Sequence, residues 1–298
     1  MSVAVPAVVL AGAPIAAEIK AGVRGRFERL QKRGITPSLA IVTVGESPSG
    51  NPYVRAKCRA AEELGAKASV TRLPADATEQ DVRARLLALS ADRSIHGVIL
   101  QLPLPRGLHD ERHLEDIAPE KDLDGLHPWN VGRWVGGLPG HRPATPLGVI
   151  EILRRHVGDL TGKRVVVIGR SRIVGRPLSV LLSERRPGMN ATVTLCHSET
   201  RDLPSVTKQA EILVVAMGSR RAIGAGHVAR GAVVIDVGIH PVEKPAPGGP
   251  RYEGDVDFEA VSKVASAITP VPGGVGPLTV AMLLRNLADA AEEAAGRT

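Results

Sequence analysis

Tyr53 and Lys57 stand four residues apart at the start of a run that reads as a helix, after the loop GESPSGNP, so their side chains share one face. A phenol and an amine placed this way suit a reaction in which one orders a substrate and the other moves a proton. A packing tyrosine beside a solvated lysine would have the same spacing. Gln101 ends the apolar run HGVILQ and opens LeuProLeuPro, which puts it at the carboxyl end of a strand, where open parallel sheets hold their ligands. A buried amide without a partner is costly, so Gln101 requires one, either Lys57 or backbone. In KDLDG at 121–125 two carboxylates, Asp122 and Asp124, stand two residues apart, and only one is expected to face a given pocket. The alternative there is a turn in which an aspartate caps its own backbone.

A second group has the pattern of phosphate recognition. The run KRVVVIG ends at Gly169 and leads through Arg170, Ser171, Arg172, Ile173 and Val174 to Gly175 and an apolar helical run. This is the strand, turn and helix that a dinucleotide fingerprint needs, with a helix N-terminus able to hold phosphate. Ser171 replaces the second glycine and the last glycine falls one residue late, so an ordinary tight turn is the competing reading. The next strand ends in CHSET at 196–200, where an acidic residue favours the ribose hydroxyls of NAD. Ser198 and Arg170 suit the 2′-phosphate of NADP, whereas an inward Glu199 would repel it. Residues 268–277 form a dense proline and glycine loop, which lets backbone approach a flat ligand closely.

These residues need elements to hold them. Short apolar runs alternate with longer amphipathic ones, the signature of βα units and parallel sheets. The first series places strands at 38–44, 68–73 and 96–101 between helices at 14–33, 53–64 and 78–90, followed by a loop over 102–143. The second has a helix at 145–156, strands at 163–168, 191–196, 211–216 and 232–237, a surface hairpin at 245–250 and a last helix at 278–295. The expected fold class is therefore α/β in two lobes joined by a C-terminal helix. One is an N-terminal α/β lobe of residues 1–144 plus 271–298, the other a Rossmann-like doubly wound dinucleotide-binding lobe of residues 145–270. Aromatic residues make up only 2% of the 298, so the cores are built from Val, Leu, Ile and Ala, as suits buried parallel strands.

The net charge of +7 is spread along the chain with no basic block interleaved with aromatics, so no nucleic-acid partner is expected and an anionic small molecule accounts for the charge. No stretch of eighteen apolar residues occurs, so no membrane span is expected. The apolar start lacks a basic leader and is broken by Pro6, Gly12 and Pro14, unlike a signal peptide. Cys58 and Cys196 lie far apart without CxxC spacing, which fits a reducing cytoplasm. His109 and His113 have half the spacing of a zinc motif, but Asp110 stands where HExxH demands Glu, so no metal is expected. The absence of GxSxG and Walker patterns disfavours triad hydrolysis and ATP chemistry.

Taken together, YVRAK at 53–57, QLPLP at 101–105, PEKDLDG at 119–125, HPWNVG at 127–132, GRSRIVGRP at 169–177, DVGI at 236–239, GDV at 254–256 and TPVPGGVGPLT at 269–279 resemble the bifunctional methylenetetrahydrofolate dehydrogenase and methenyltetrahydrofolate cyclohydrolase family. Order and spacing match from about Val9 to Asn286. The resemblance implies NADP-linked oxidation of 5,10-methylenetetrahydrofolate, then hydrolysis to 10-formyltetrahydrofolate in the same cleft; a dehydrogenase lacking efficient hydrolysis is the alternative. It implies that Lys57 is the central catalytic group, Tyr53 orients the folate, Gln101 tunes Lys57 and Asp124 holds the pterin. Leu102, Pro103, Gly273, Gly274 and Pro277 would line the folate side. Gly169, Arg170, Ser171, Ile173, Ser198, Gly238, Ile239 and Thr279 would contact the cofactor. It further implies a cytoplasmic homodimer, paired through the cofactor lobe, that acts on tetrahydrofolate one-carbon derivatives and serves purine biosynthesis. Three positions depart from the family pattern: Gly50 replaces a common Ser, Ala144 a common Cys, and Glu199 a common Lys or Arg.

Overall fold

The computed structural model describes residues 6–45, 51–242 and 252–296. In chain order it begins with β1 (Val8–Val9), α1 (Gly12–Lys32), β2 (Ser38–Val44), α2 (Pro52–Glu63), β3 (Lys67–Leu73), α3 (Glu79–Ala91) and β4 (Gly97–Leu100). Two short helices follow, α4 (Asp110–Leu114) and α5 (Pro128–Val135). Next come α6 (Ala144–His156), β5 (Arg164–Ile168), α7 (Gly175–Ser183), β6 (Thr192–Cys196), α8 (Leu203–Thr207), β7 (Ile212–Val215) and β8 (Val233–Asp236). The chain closes with β9 (His240–Pro241), β10 (Tyr252–Glu253), α9 (Phe258–Val261), β11 (Ala267–Ile268) and α10 (Val275–Gly296). It divides into two compact units, one of Met1–Ala16 with Thr145–Thr279, the other of Ala17–Ala144 with Val280–Thr298.

In the second of these units, β2 lies between β3 and β4 in a parallel sheet. Every residue of β2 is buried, as a central strand covered on both faces requires, whereas the edge strand β3 alternates between exposed and half-buried. Val42, Val82, Leu86, Val98 and Leu100 form its core. The helices start where local chemistry directs. Asn51 caps α2 by accepting from the Tyr53 amide with Pro52 in the first turn, and Thr78 and Asp81 make a capping box on α3. In α1, Val23, Phe27 and Leu30 are buried at helical spacing, while Arg26 pairs with Asp289 and Glu292 of α10 at 2.6 Å each.

The other unit carries a six-stranded sheet in the order β1-β11-β8-β7-β5-β6, parallel throughout. The chain passes from β5 to β6 on one side and then returns to β7 on the other, so the order reverses at β5. Ligands of doubly wound sheets bind outside the carboxyl ends of the strands at such a reversal.

Two boundaries differ from the sequence expectation. Residues up to Ala16 belong with the doubly wound sheet, because β1 pairs with β11 at Val8 to Ala267 and Val9 to Ile268. Residues 271–279 belong there too, so the unit boundary falls inside α10. Two-residue strands carry no periodicity, which hides both β1 and β11 from a sequence reading. The expected loop over 102–143 also contains α4 and α5. The expected hairpin at 245–250 lies outside the described residues, as does Gly50; the flanking β9 and β10 pair antiparallel.

Candidate active site

Lys57 lies one turn into α2, on the same face as Tyr53, whose side chain is 46% exposed. Its Nζ donates to Gln101 Oε1 at 3.1 Å. Gln101 is held from two directions: its backbone amide donates to Val42 at 2.9 Å, and its Nε2 donates to the Leu102 carbonyl at 2.8 Å. With the amino half of the amide committed to backbone, the carbonyl half is left facing the lysine. Both alternatives for Gln101 therefore hold at once, Lys57 for the oxygen and backbone for the nitrogen. Leu102 and Pro103 continue from this point through a cis peptide bond.

The two aspartates of KDLDG divide their work. Asp122 is buried and accepts from the His127 amide at 2.7 Å and from Asn130 Nδ2 at 3.0 Å, so it locks the turn. Asp124 is half-buried. Burial pushes its carboxyl upward, the Lys57 ammonium pulls it down, and the neighbouring Asp122 adds to the rise. Tyr53, Lys57, Gln101 and Asp124 thus belong to one unit, with Lys57 joined to Gln101 by a hydrogen bond and to Asp124 by charge. The turn carrying Asp124 is tied to α10 by Asn286, whose Nδ2 donates to the carbonyls of Leu123 at 2.8 Å and Arg142 at 2.9 Å.

In the doubly wound unit the fingerprint turn sits at the reversal point. Gly169 has φ of 111°, and a Cβ there would overlap the Ala216 carbonyl oxygen at the end of β7. A Cβ on Gly175 would overlap the Gly169 carbonyl oxygen, so both glycines let the backbone fold on itself into a cradle before α7. Ser171 Oγ accepts from the Val174 amide at 3.1 Å and the Gly175 amide at 3.5 Å, which explains a serine where the strict pattern has glycine. Arg170 and Ile173 are exposed on this turn, Ile173 at 47%. Ser198 is exposed at the end of β6 and donates to Glu199 Oε1 at 3.1 Å.

Gly238 and Ile239 follow β8, with the Gly238 amide donating to Asp236 Oδ1 at 2.9 Å. Gly273 accepts from the Gly12 amide at 2.8 Å, the Gly274 amide donates to Pro270 at 2.9 Å, and Pro277 lies in the first turn of α10. The Thr279 and Thr145 hydroxyls meet at 3.1 Å. Gly273, Gly274 and Pro277, read as folate-side residues, therefore belong to the doubly wound unit, apart from Lys57 in the division of the chain.

A pair of carboxylates went unassigned in the sequence. Asp236 and Asp255, both buried, gather the backbone at the ends of β7 and β8. Asp236 accepts from the amides of Gly238, Asp255 and Val256 at 2.9 to 3.0 Å. Asp255 accepts from Met217 at 2.8 Å and Gly218 at 3.0 Å, and its Oδ1 meets His240 Nε2 at 2.7 Å. Burial pushes the Asp236 carboxyl up to about 7, against the pull of its amide donors. The readable signal was a carboxylate ending the apolar strand VVID. His109 and His113, read as half a zinc motif, both meet Glu79 at 2.8 Å, and His113 also meets Asp116 at 3.2 Å.

Comparison with known proteins also gives two domains, with bounds that differ from those of the compact units. The family model for the catalytic domain of tetrahydrofolate dehydrogenase/cyclohydrolase matches residues 10–124, and that for its NAD(P)-binding domain matches residues 143–295. The chain is 46% identical over 285 residues to bifunctional protein FolD 2 of Geobacter metallireducens, covering 96% of this chain and 97% of that one. The crystal structure of the bifunctional methylenetetrahydrofolate dehydrogenase/cyclohydrolase of Campylobacter jejuni aligns with a TM-score of 0.89 at 42% identity, over 96% of this chain and 99% of that one. The Trypanosoma brucei enzyme, solved with NADP and an inhibitor, aligns with a TM-score of 0.90 at 36% identity, over 99% and 100%.

Proposed function

Because this chain belongs to the tetrahydrofolate dehydrogenase/cyclohydrolase family, we propose that it oxidises 5,10-methylenetetrahydrofolate to the methenyl form with NADP and then hydrolyses that product to 10-formyltetrahydrofolate. The observation that carries the reading is the Lys57 to Gln101 hydrogen bond with Asp124 in electrostatic reach of the same ammonium.

The two steps ask different things of these residues. When bound, the nicotinamide accepts the hydride from the methylene bridge, and the folate is left as a resonance-stabilised cation. That step needs placement more than an acid or a base. Asp124 supplies placement, since a carboxylate accepts two hydrogen bonds from the amino group and ring nitrogen of a pterin as it would from a guanidinium. Tyr53 orients the folate from the face of α2 that it shares with Lys57, and Leu102 and Pro103 line the substrate. Hydrolysis of the cation needs a proton taken from water and one delivered to the opening ring. Lys57 carries that transfer, and Gln101, with its amide fixed by backbone, holds the amine in one orientation.

The cofactor side fits a dinucleotide. The Gly169 and Gly175 cradle admits a pyrophosphate against backbone, with Ser171 shaping the turn, and Arg170 and Ser198 meet the 2′-phosphate. Ile173, Gly238, Ile239 and Thr279 complete the cofactor contacts. A homodimer is proposed through the doubly wound sheet, where β6 is an edge strand among the described residues. Two free cysteines support a cytoplasmic setting, and no described helix is long and apolar enough to cross a membrane. The product would feed purine biosynthesis.

The test is a spectrophotometric assay of the purified protein with methylenetetrahydrofolate and NADP, followed by the same protein with methenyltetrahydrofolate alone, corrected for spontaneous hydrolysis. Both steps should be catalysed, and light scattering of the sample should give twice the chain mass. Reduction of NADP without accelerated hydrolysis would leave a single-activity dehydrogenase. No reaction with either substrate would overturn the assignment.

A further inference from the structure

The turn at the end of β6 is held in one shape by its own hydrogen bonds. The His197 amide donates to Thr200 Oγ1 at 2.9 Å, the Thr200 amide returns to the His197 carbonyl at 2.9 Å, and the Glu199 amide donates to His197 Nδ1 at 3.2 Å. Ser198 and Glu199 are thereby presented outward at the tip. β6 is the immediate neighbour of β5, with Ile168 paired to Cys196, so this tip stands beside the glycine cradle at the reversal point. In a doubly wound sheet the adenosine ribose of a dinucleotide arrives at this place.

Two features of the tip bear on which ribose it accepts. A serine hydroxyl has one hydrogen to give, and that of Ser198 goes to the Glu199 carboxylate at 3.1 Å. Among the described residues that carboxylate meets only this hydroxyl, so no cation neutralises it. A 2′-phosphate reaching the tip must draw the hydroxyl away from a carboxylate and then sit beside that negative charge. A free 2′-hydroxyl instead finds an acceptor ready for it. Arg170, exposed on the adjacent turn, works in the opposite sense and attracts the phosphate.

We propose that the Ser198 and Glu199 pair sets the cofactor preference of this enzyme and keeps it narrow, so that NAD serves as a second working cofactor beside NADP. The proposal rests on the dinucleotide reading of the cradle. A carboxylate close to a doubly charged phosphate in watery surroundings changes affinity by about tenfold, and the removal of its charge should widen the preference by that factor.

The experiment isolates the adenosine end. Calorimetry on the full chain measures binding of adenosine 2′,5′-bisphosphate and of AMP, and steady-state assays give kcat/KM with NADP and with NAD, for the parent and for Glu199→Gln. Glutamine keeps the shape and removes the charge. The parent should use NAD with kcat/KM within about tenfold of that for NADP. Glu199→Gln should bind the bisphosphate about tenfold more tightly, with AMP unchanged or weaker, and the NADP to NAD ratio should rise by the same factor. A ratio that stays fixed, or equal changes for both nucleotides, overturns the proposal, because the first puts Glu199 out of reach of the ribose and the second makes its role structural. If neither nucleotide nor NADP binds the parent, the dinucleotide reading itself fails and this inference with it.

Discussion

In the proposed chemistry Lys57 carries the proton transfer, and its two neighbours meet it in different ways. Gln101 meets the amine by a hydrogen bond, and Asp124 meets it only by charge. Lys57→Met keeps the apolar stem and removes the proton carrier, so methenyltetrahydrofolate hydrolysis should fall by about 10² to 10⁴ while hydride transfer loses less. The methenyl product should then accumulate, and its absorbance reports it directly. Hydrolysis at the parent rate would remove Lys57 from the proton-transfer role. At this scale the sequence was legible wherever spacing forces proximity. Tyr53 and Lys57 share a helix face, and Gln101 follows a strand whose carboxyl end is a ligand position. The split between Asp122 and Asp124 did not follow from spacing, because residues two apart in an extended chain share a side, and neither did which of the two faces Lys57. That depended on Asn130 and the His127 amide reaching Asp122 from the following helix. The Asp236 and Asp255 pair stayed hidden because all its partners but His240 are backbone amides, which leave no mark in side-chain spacing.

At the scale of elements, the site depends on a helix remote from it in sequence. Asn286 on α10 is buried and supplies both of its amide hydrogens to carbonyls, one of them Leu123, the residue before Asp124. Asn286→Ala removes both donated hydrogens and should lower stability by about 2 to 6 kcal/mol, since each buried acceptor left unmade costs about 1 to 3. Because Asp124 moves with the turn, KM for the folate should also rise while KM for NADP stays near the parent value. Thermal unfolding and the two KM values check this, and a stability loss with both KM values unchanged would assign Asn286 to packing alone. Elements with strong patterns were readable: β2 and β5 each carry an apolar run, at 39–42 and 165–168, and α1 repeats its buried positions every three or four residues. The two-residue strands β1 and β11 were not, nor were α4 and α5, which lie within a stretch rich in Pro and Asp whose local signals favour turns.

For the molecule as a whole, stability depends on pH through groups such as Asp236. Its folded pKa of about 7 lies above the ordinary carboxyl value, so the folded state holds the proton more tightly than the unfolded chain. The stabilisation from that proton is complete below about pH 4 and is lost as pH rises through about 7, a fall of at most about 4 kcal/mol. Urea unfolding at about pH 5 and about pH 8 should show the parent losing more stability than Asp236→Asn, which has no proton to lose. Equal losses would mean that the amide donors keep Asp236 ionised throughout. The two-unit plan was legible from the alternating runs, but its boundaries were not, because they depend on pairings between distant parts of the chain. Val8 lies beside Ala267, and Leu123 is tied to Asn286. During synthesis, β1 emerges long before β11, and the 17–144 segment emerges long before the part of α10 that completes its unit. Neither unit has its full set of elements until the ribosome has passed residue 280, so the nascent chain travels most of its length as two unfinished halves whose apolar edges must be shielded from other chains until the last helix arrives.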